Sequence, residues 1–72
     1  MPVSVRDEKF KIIRLPAVKE KTGWKRSSIY RMVELGRFPK PISLGARAVG
    51  WVEDEVDQWI ASRIAASRGG AQ

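Results

Sequence analysis

Residues 15–36 read LPAVKEKTGWKRSSIYRMVELG, and this stretch decides the fold. Pro16 fits the first turn of a helix, where a missing N–H costs nothing. Leu15, Val18 and Thr22 make a one-sided face across residues 16–21. Gly23 stops that helix, because a left-handed residue past the last turn costs least for glycine. A second helix is expected to start between Lys25 and Ser27 and to run to Leu35, with Gly36 as its C-terminal cap. Ile29, Met32 and Val33 give it one apolar stripe at i, i+3 and i+4. The gap Gly23-Trp24-Lys25 is only three or four residues long. A helix, a short glycine-bearing turn and a second amphipathic helix are the signature of a helix-turn-helix. The first helix is too short to stand alone, so it depends on packing against the rest.

The sequence downstream supplies that packing. Pro39 and Pro41 forbid a helix across residues 37–41 and favour an extended backbone. Ile42-Ser43-Leu44 alternates with the strand period, Gly45–Ala48 reads as a turn that the glycine makes tight, and Val49–Val52 returns as a second strand. This hairpin is a wing, and Phe38 and Trp51 are its expected anchors, since a lone hairpin is marginal in water. A last helix should begin at Glu53 or Asp54, with carboxylates at the positive end of its macrodipole. Its apolar stripe is Val52, Val56, Trp59, Ile60 and Ile64. Trp24, Trp51 and Trp59 are read as core residues, with Trp51 and Trp59 meeting inside. On the upstream side, Lys11–Leu15 reads as a brief strand or an extended entry. The expected organisation is a flexible arm over residues 1–10, one domain over 11–66 and a disordered tail over 67–72. The fold class is therefore mainly α with a small β-hairpin, a three-helix winged helix-turn-helix.

Composition narrows the function. The chain has 72 residues, no cysteine and no histidine, which removes disulfides, thiolate nucleophiles, imidazole bases and the usual zinc sites. So short a chain has little room for an enclosed active site, which usually needs about 300 Å³. No catalytic residue, metal ligand or cofactor-binding motif emerges, and neither an enzyme activity nor a cofactor is expected. Fourteen Lys and Arg against eight Asp and Glu give a net charge of +6. The charge is uneven: residues 1–52 carry twelve basic and four acidic side chains, whereas residues 53–72 carry two and four. The basic part suits a polyanion, and the acidic part should face away from it. No apolar run approaches the roughly 18 residues of a membrane span. The first ten residues are too charged for a signal peptide, so a soluble, cytoplasmic protein is expected, with no membrane or small-molecule partner.

The candidate contacts lie on the second helix. With about 100° per residue, Ile29 and Val33 point inward while Ser27, Arg31 and Glu34 point outward, with Ser28 and Tyr30 on the flanks. Lys25 and Arg26 stand at its start. A helix start can offer N–H groups and hydroxyls to phosphates, and Arg31 can reach base edges in a major groove. One of Ser27 and Ser28 is expected to cap the helix instead. Lys40, on the stiff extended segment, and Arg47, in the wing turn, are candidate phosphate contacts. The carboxylates Glu53, Asp54, Glu55 and Asp57 read as helix-start charge complementation. Isolated arginines are ordinarily solvated surface, and the helix-turn-helix spacing is what favours contact for Arg26 and Arg31. Tyr30 suits flank packing and DNA contact equally.

These residues resemble a family, the AlpA-type prophage regulators, small winged-helix relatives of phage excisionases and of the MerR DNA-binding domain. The resemblance rests on Ile13-Arg14-Leu15, Thr22-Gly23, Ser28-Ile29-Tyr30-Arg31, the run Gly36 to Pro41, Arg47-Ala48-Val49-Gly50-Trp51 and Glu55 to Ile60. The family pattern has Gly-Leu-Ser at the turn, where Gly23-Trp24-Lys25 stands here, so the serine cap is displaced to Ser27 or lost. The resemblance implies specific binding of double-stranded DNA, with Ser27, Ser28, Tyr30 and Arg31 on the recognition helix and Arg47 on the wing. It also implies transcriptional regulation of phage or mobile-element genes. An architectural role remains open, in which further copies on adjacent sites bend DNA for recombination. So does an adaptor role for the acidic last helix.

Overall fold

In the computed structural model, which describes residues 10–69, the elements follow in the order β1 (Ile12–Ile13), α1 (Leu15–Thr22), α2 (Arg26–Glu34), β2 (Ile42–Gly45), β3 (Ala48–Val52) and α3 (Glu53–Gly69). The mainly α winged helix-turn-helix is present. The expected N-terminal arm lies outside the described residues except for Phe10, which is exposed.

Helix α1 opens with Pro16 in its first turn and closes at Gly23, whose φ is 76° and whose N–H bonds the Lys19 carbonyl at 2.7 Å. Thr22 ties this end to the turn: its hydroxyl donates to the Val18 carbonyl at 2.9 Å and accepts the Trp24 N–H at 3.1 Å. The three residues Gly23, Trp24 and Lys25 then suffice to reach α2.

Helix α2 begins earlier than a serine cap requires. Lys25 holds the extended capping conformation, with φ −79° and ψ 166°, and gives no side-chain capping bond. Ser27 and Ser28 lie inside the first turn, where helical backbone takes them out of capping geometry, so neither serves as the expected cap. The other end is a Schellman motif. Gly36, at φ 73°, donates to the Val33 carbonyl at 3.0 Å, and Arg37 donates to the Met32 carbonyl at 2.9 Å. Gly36 thus stands one residue beyond the cap, Leu35.

The sheet has three antiparallel strands in the order β1-β3-β2, so the hairpin is not alone. Ile12 pairs with Val52 and Ile13 with Trp51 on one side of β3; Ile42 pairs with Gly50 and Ser43 with Val49 on the other. The Glu53 N–H bonds the Lys11 carbonyl at 2.7 Å, fastening the start of α3 to β1. Gly45 pairs with Ala48, so the turn is Ala46-Arg47 rather than Gly45–Ala48, and Leu44 bulges from β2. Gly45 is not in the left-handed region, so the turn does not depend on glycine there. Gly50 is the position that does. A Cβ built on it would lie 2.5 Å from Ile12 Cγ2, 3.0 Å from the Ile13 carbonyl oxygen and 3.0 Å from Leu44 Cδ1.

The core is Ile13, Val18, Ile29, Phe38, Trp51 and Val56, one residue from each element except β2 and one from the link before it. Such fully buried apolar side chains contribute about 1.5–3 kcal/mol each. Phe38 and Trp51 anchor the wing as expected. Trp51 and Trp59 do not form a ring pair: Trp51 packs on Tyr30 (centroids 6.0 Å apart), whereas Trp59 packs on Phe38 (4.9 Å) and Trp24 (5.3 Å). What the two indoles share is the link between α2 and the wing. Trp59 Nε1 donates to the Arg37 carbonyl at 2.7 Å and Trp51 Nε1 to the Pro39 carbonyl at 3.0 Å.

Helix α3 outruns the core. Its buried and half-buried residues end at Ile60, and Ile64, expected on the inner stripe, is 46% exposed. The helix nonetheless continues through Ser67 and Arg68 to Gly69, where a disordered tail was expected from 67 onward. Ala65 and Ala66 favour helix, and Arg68 suits the negative end of the dipole. Residues 70–72 lie outside the described part. Among the described residues no helix is long and apolar enough to cross a membrane.

Candidate nucleic-acid interface

The outward face of α2 exists because its inward face is fixed. Ile29 is fully buried, with Met32 and Val33 half-buried beside it, which turns Ser27, Arg31 and Glu34 to solvent. Lys25 and Arg26 are exposed at the start of the helix, and Ser28 and Tyr30 are half-buried on the flanks. With no side-chain cap, the first backbone N–H groups of α2 are left to outside partners. The Arg26 guanidinium sits 5.4 Å from the centre of the Tyr30 ring, and that ring lies against Trp51. Tyr30 is therefore a packing residue on one side and a platform for a cation on the other.

Two of the remaining candidates stand apart from α2. Lys40 is exposed on the link into β2. Arg47 is exposed in the two-residue turn at the tip of the hairpin. Trp51 stands four positions along the chain from Arg47, about 13 Å at the usual strand rise.

The acidic cluster is held structurally. Lys21, in the last turn of α1, pairs with Asp57 at 2.8 Å and Glu53 at 3.3 Å, and Gln58 donates to Asp54 at 3.0 Å. The hydrogen bond to Asp57 holds the Lys21 ammonium above its ordinary 10.5, assisted by the Glu53 bond and both negative charges and opposed by partial desolvation. This ion pair ties α1 to α3 and occupies one of the cations that the charge count had assigned to the basic region. Two further exposed arginines, Arg37 and Arg63, adjoin Trp59, and neither lies on the outward wheel of α2 or in the wing turn. Their spacing of twenty-six residues gives no local signal that they share one indole.

Fold and site together define a class: a small winged helix-turn-helix protein whose second helix presents a basic face opposite its apolar one. The family model described as prophage CP4-57 regulatory protein (AlpA) matches residues 11–64. The chain is 42% identical over 59 residues to the DNA-binding transcriptional activator AlpA of Escherichia coli (strain K12), covering 74% of this chain and 84% of that protein. It is 39% identical over 71 residues to the uncharacterized protein ORF88 of Enterobacteria phage P4, covering 97% of this chain and 78% of that one. The chain belongs to the AlpA family.

Proposed function

We propose that this chain is a sequence-specific double-stranded DNA-binding transcriptional regulator of a phage or other mobile element, acting in the cytoplasm by binding rather than catalysis. The observation that carries the reading is the α2 face, where Lys25, Arg26, Ser27 and Arg31 stand opposite a buried Ile29. In this reading α2 enters the major groove, Arg31 approaches base edges, Ser28 and Tyr30 line the groove wall, and the open N–H groups of α2 meet a phosphate. Arg47 reaches the neighbouring backbone or minor groove from the wing, and Lys40 takes a phosphate between them. The name of the Escherichia coli relative, a DNA-binding transcriptional activator, supports the reading at 42% identity.

The test is a footprint across the DNA flanking the chain's own gene, with affinity measured between about 50 and 200 mM salt. A specific site whose affinity falls by orders of magnitude over that range is expected. A protected site at a promoter supports regulation. Protection of several adjacent sites at a recombination junction, with bending, would support the architectural role instead. Absence of any salt-dependent DNA affinity would refute the DNA-binding reading and favour an adaptor.

A further inference from the structure

Two arginines that the proposed interface leaves out, Arg37 and Arg63, both adjoin Trp59. Arg37 follows the Schellman cap of α2, and both of its main-chain polar groups are fixed: its N–H donates to the Met32 carbonyl at 2.9 Å, and its carbonyl accepts from Trp59 Nε1 at 2.7 Å. Trp59 is itself held by edge-on contacts with Phe38 and Trp24. Arg63, one helical turn further along α3, places its guanidinium 5.9 Å from the centre of the same indole ring. One tryptophan therefore binds the backbone of one arginine and lies under the side chain of another. Two residues on, Trp51 Nε1 pins the Pro39 carbonyl at 3.0 Å, and Lys40 comes next. Arg37, Lys40 and Arg63 are all exposed, and among the described residues none has a carboxylate within 4.0 Å.

We propose that Arg37 and Arg63 form a second cationic site that grips a DNA phosphodiester beyond the C-terminal end of α2, ordered around the Trp59 indole. The proposal rests on the DNA-binding reading above and extends the footprint to the C-terminal end of α2. Three physical facts support it. Guanidinium forks match phosphate oxygens in pairs and are weakly hydrated, so arginine suits such a contact. A cation carried on pinned backbone has less freedom to lose on binding. Two cations, one on the link after α2 and one on α3, held to the same indole raise the positive potential of that end, while the α3 carboxylates Glu53 and Asp57 are occupied with Lys21. Trp59 is a positioning residue in this arrangement, and the two arginines make the contact.

The test uses the full chain and a duplex carrying its footprinted site, with fluorescence anisotropy titrations at several salt concentrations and melting curves to verify folding. Arg37→Ala and Arg63→Leu should each lower the slope of log affinity against log salt by about one unit, and together by about two. The penalty for changing bases within the site should stay as in the parent, because a phosphate contact carries no sequence information. Arg63→Lys should keep the parent slope, whereas Arg63→Leu keeps only the packing on Trp59. If Arg63→Leu, which keeps the packing and lacks the charge, retains the parent slope, Arg63 acts through packing and its place in the site is overturned. A parent that binds with normal salt dependence, beside variants of unchanged slope, overturns the cluster and leaves the proposed function standing. A parent without DNA affinity overturns both.

Discussion

Gly50→Ala is the sharpest test of the sheet, because a single methyl decides its outcome. The added Cβ would sit 2.5 Å from Ile12 Cγ2 and 3.0 Å from both the Ile13 carbonyl oxygen and Leu44 Cδ1, against 3.4–4 Å for ordinary contact. Ile12 must yield by about an ångström, yet Cγ2 is attached directly to its branched Cβ and has no flexible reach to give. The Ile13 oxygen is backbone within the β1–β3 pairing, so relief there costs pairing. Overpacking of this kind costs about 1–3 kcal/mol. Replacing glycine also restricts the unfolded chain, which opposes this by about 0.4–1 kcal/mol. The clash wins, and a net loss of about 1–2 kcal/mol is expected. For a domain of this size each kcal/mol moves Tm by about 4–8 °C, so Tm should fall by roughly 5–15 °C. Thermal unfolding followed by circular dichroism reads this directly. Gly45→Ala is the matched control: its Cβ meets nothing within 4 Å and its backbone is not left-handed, so Tm should hold or rise slightly. A Gly50→Ala protein as stable as Gly45→Ala would refute the three-strand packing.

Three further outcomes follow. Trp51→Ala removes a fully buried ring and the donor to the Pro39 carbonyl, and should cost about 3–5 kcal/mol, most of the stability of so small a domain; a cooperative melt near the parent Tm would contradict this. Lys21 has a folded pKa above its unfolded value, so its stabilisation is complete below about pH 10.5 and is lost as pH rises through the folded value; the Tm difference between the parent and Lys21→Gln should hold from neutral pH and shrink in that alkaline window, and a difference unchanged through it would remove the Lys21 pair from the account. Arg47→Ala should weaken binding to all duplexes alike and lower the salt slope by about one unit, as isotherms on specific and scrambled DNA will read; if the contact is in a narrow minor groove the loss grows on A·T-rich flanks, and equal affinity throughout would make the hairpin a packing element.

The elements that sequence periodicity could show are those with enough residues to display a period. The Ile29, Met32 and Val33 stripe and the glycines at 23 and 36 placed both helices of the helix-turn-helix, and the prolines at 39 and 41 placed the link. Strand β1 was harder: Ile12–Ile13 is too short for any alternation, and its partner Val52 lies forty residues away. The serine cap failed because capping is a backbone property. The Thr22 hydroxyl and Gly23 set the turn so that Lys25, not a serine, takes the extended conformation. The stripe of α3 gave its inner face but not where the core beneath it ends, so Ile64 was expected inside and lies outside. Trp59 was legible as an inward residue. Its bond to the Arg37 carbonyl was not, because that depends on the path the link takes after the Schellman cap. For the candidate interface, exposure of Lys25, Arg26, Ser27 and Arg31 followed from the wheel, whereas the Arg26–Tyr30–Trp51 stack needed the third dimension.

The central claim is that the solvent face of α2 reads DNA, and Arg31 is its most exposed test. The measurement is the affinity of parent and Arg31→Ala for the footprinted site and for a scrambled duplex of equal length, at fixed salt. Arg31 is exposed, so the substitution should leave Tm near the parent value. Loss of about 1–3 kcal/mol on the specific site, with a much smaller loss on the scrambled duplex, is the result expected of a residue that contacts a base edge. Equal affinities of parent and Arg31→Ala for the specific site would contradict the account.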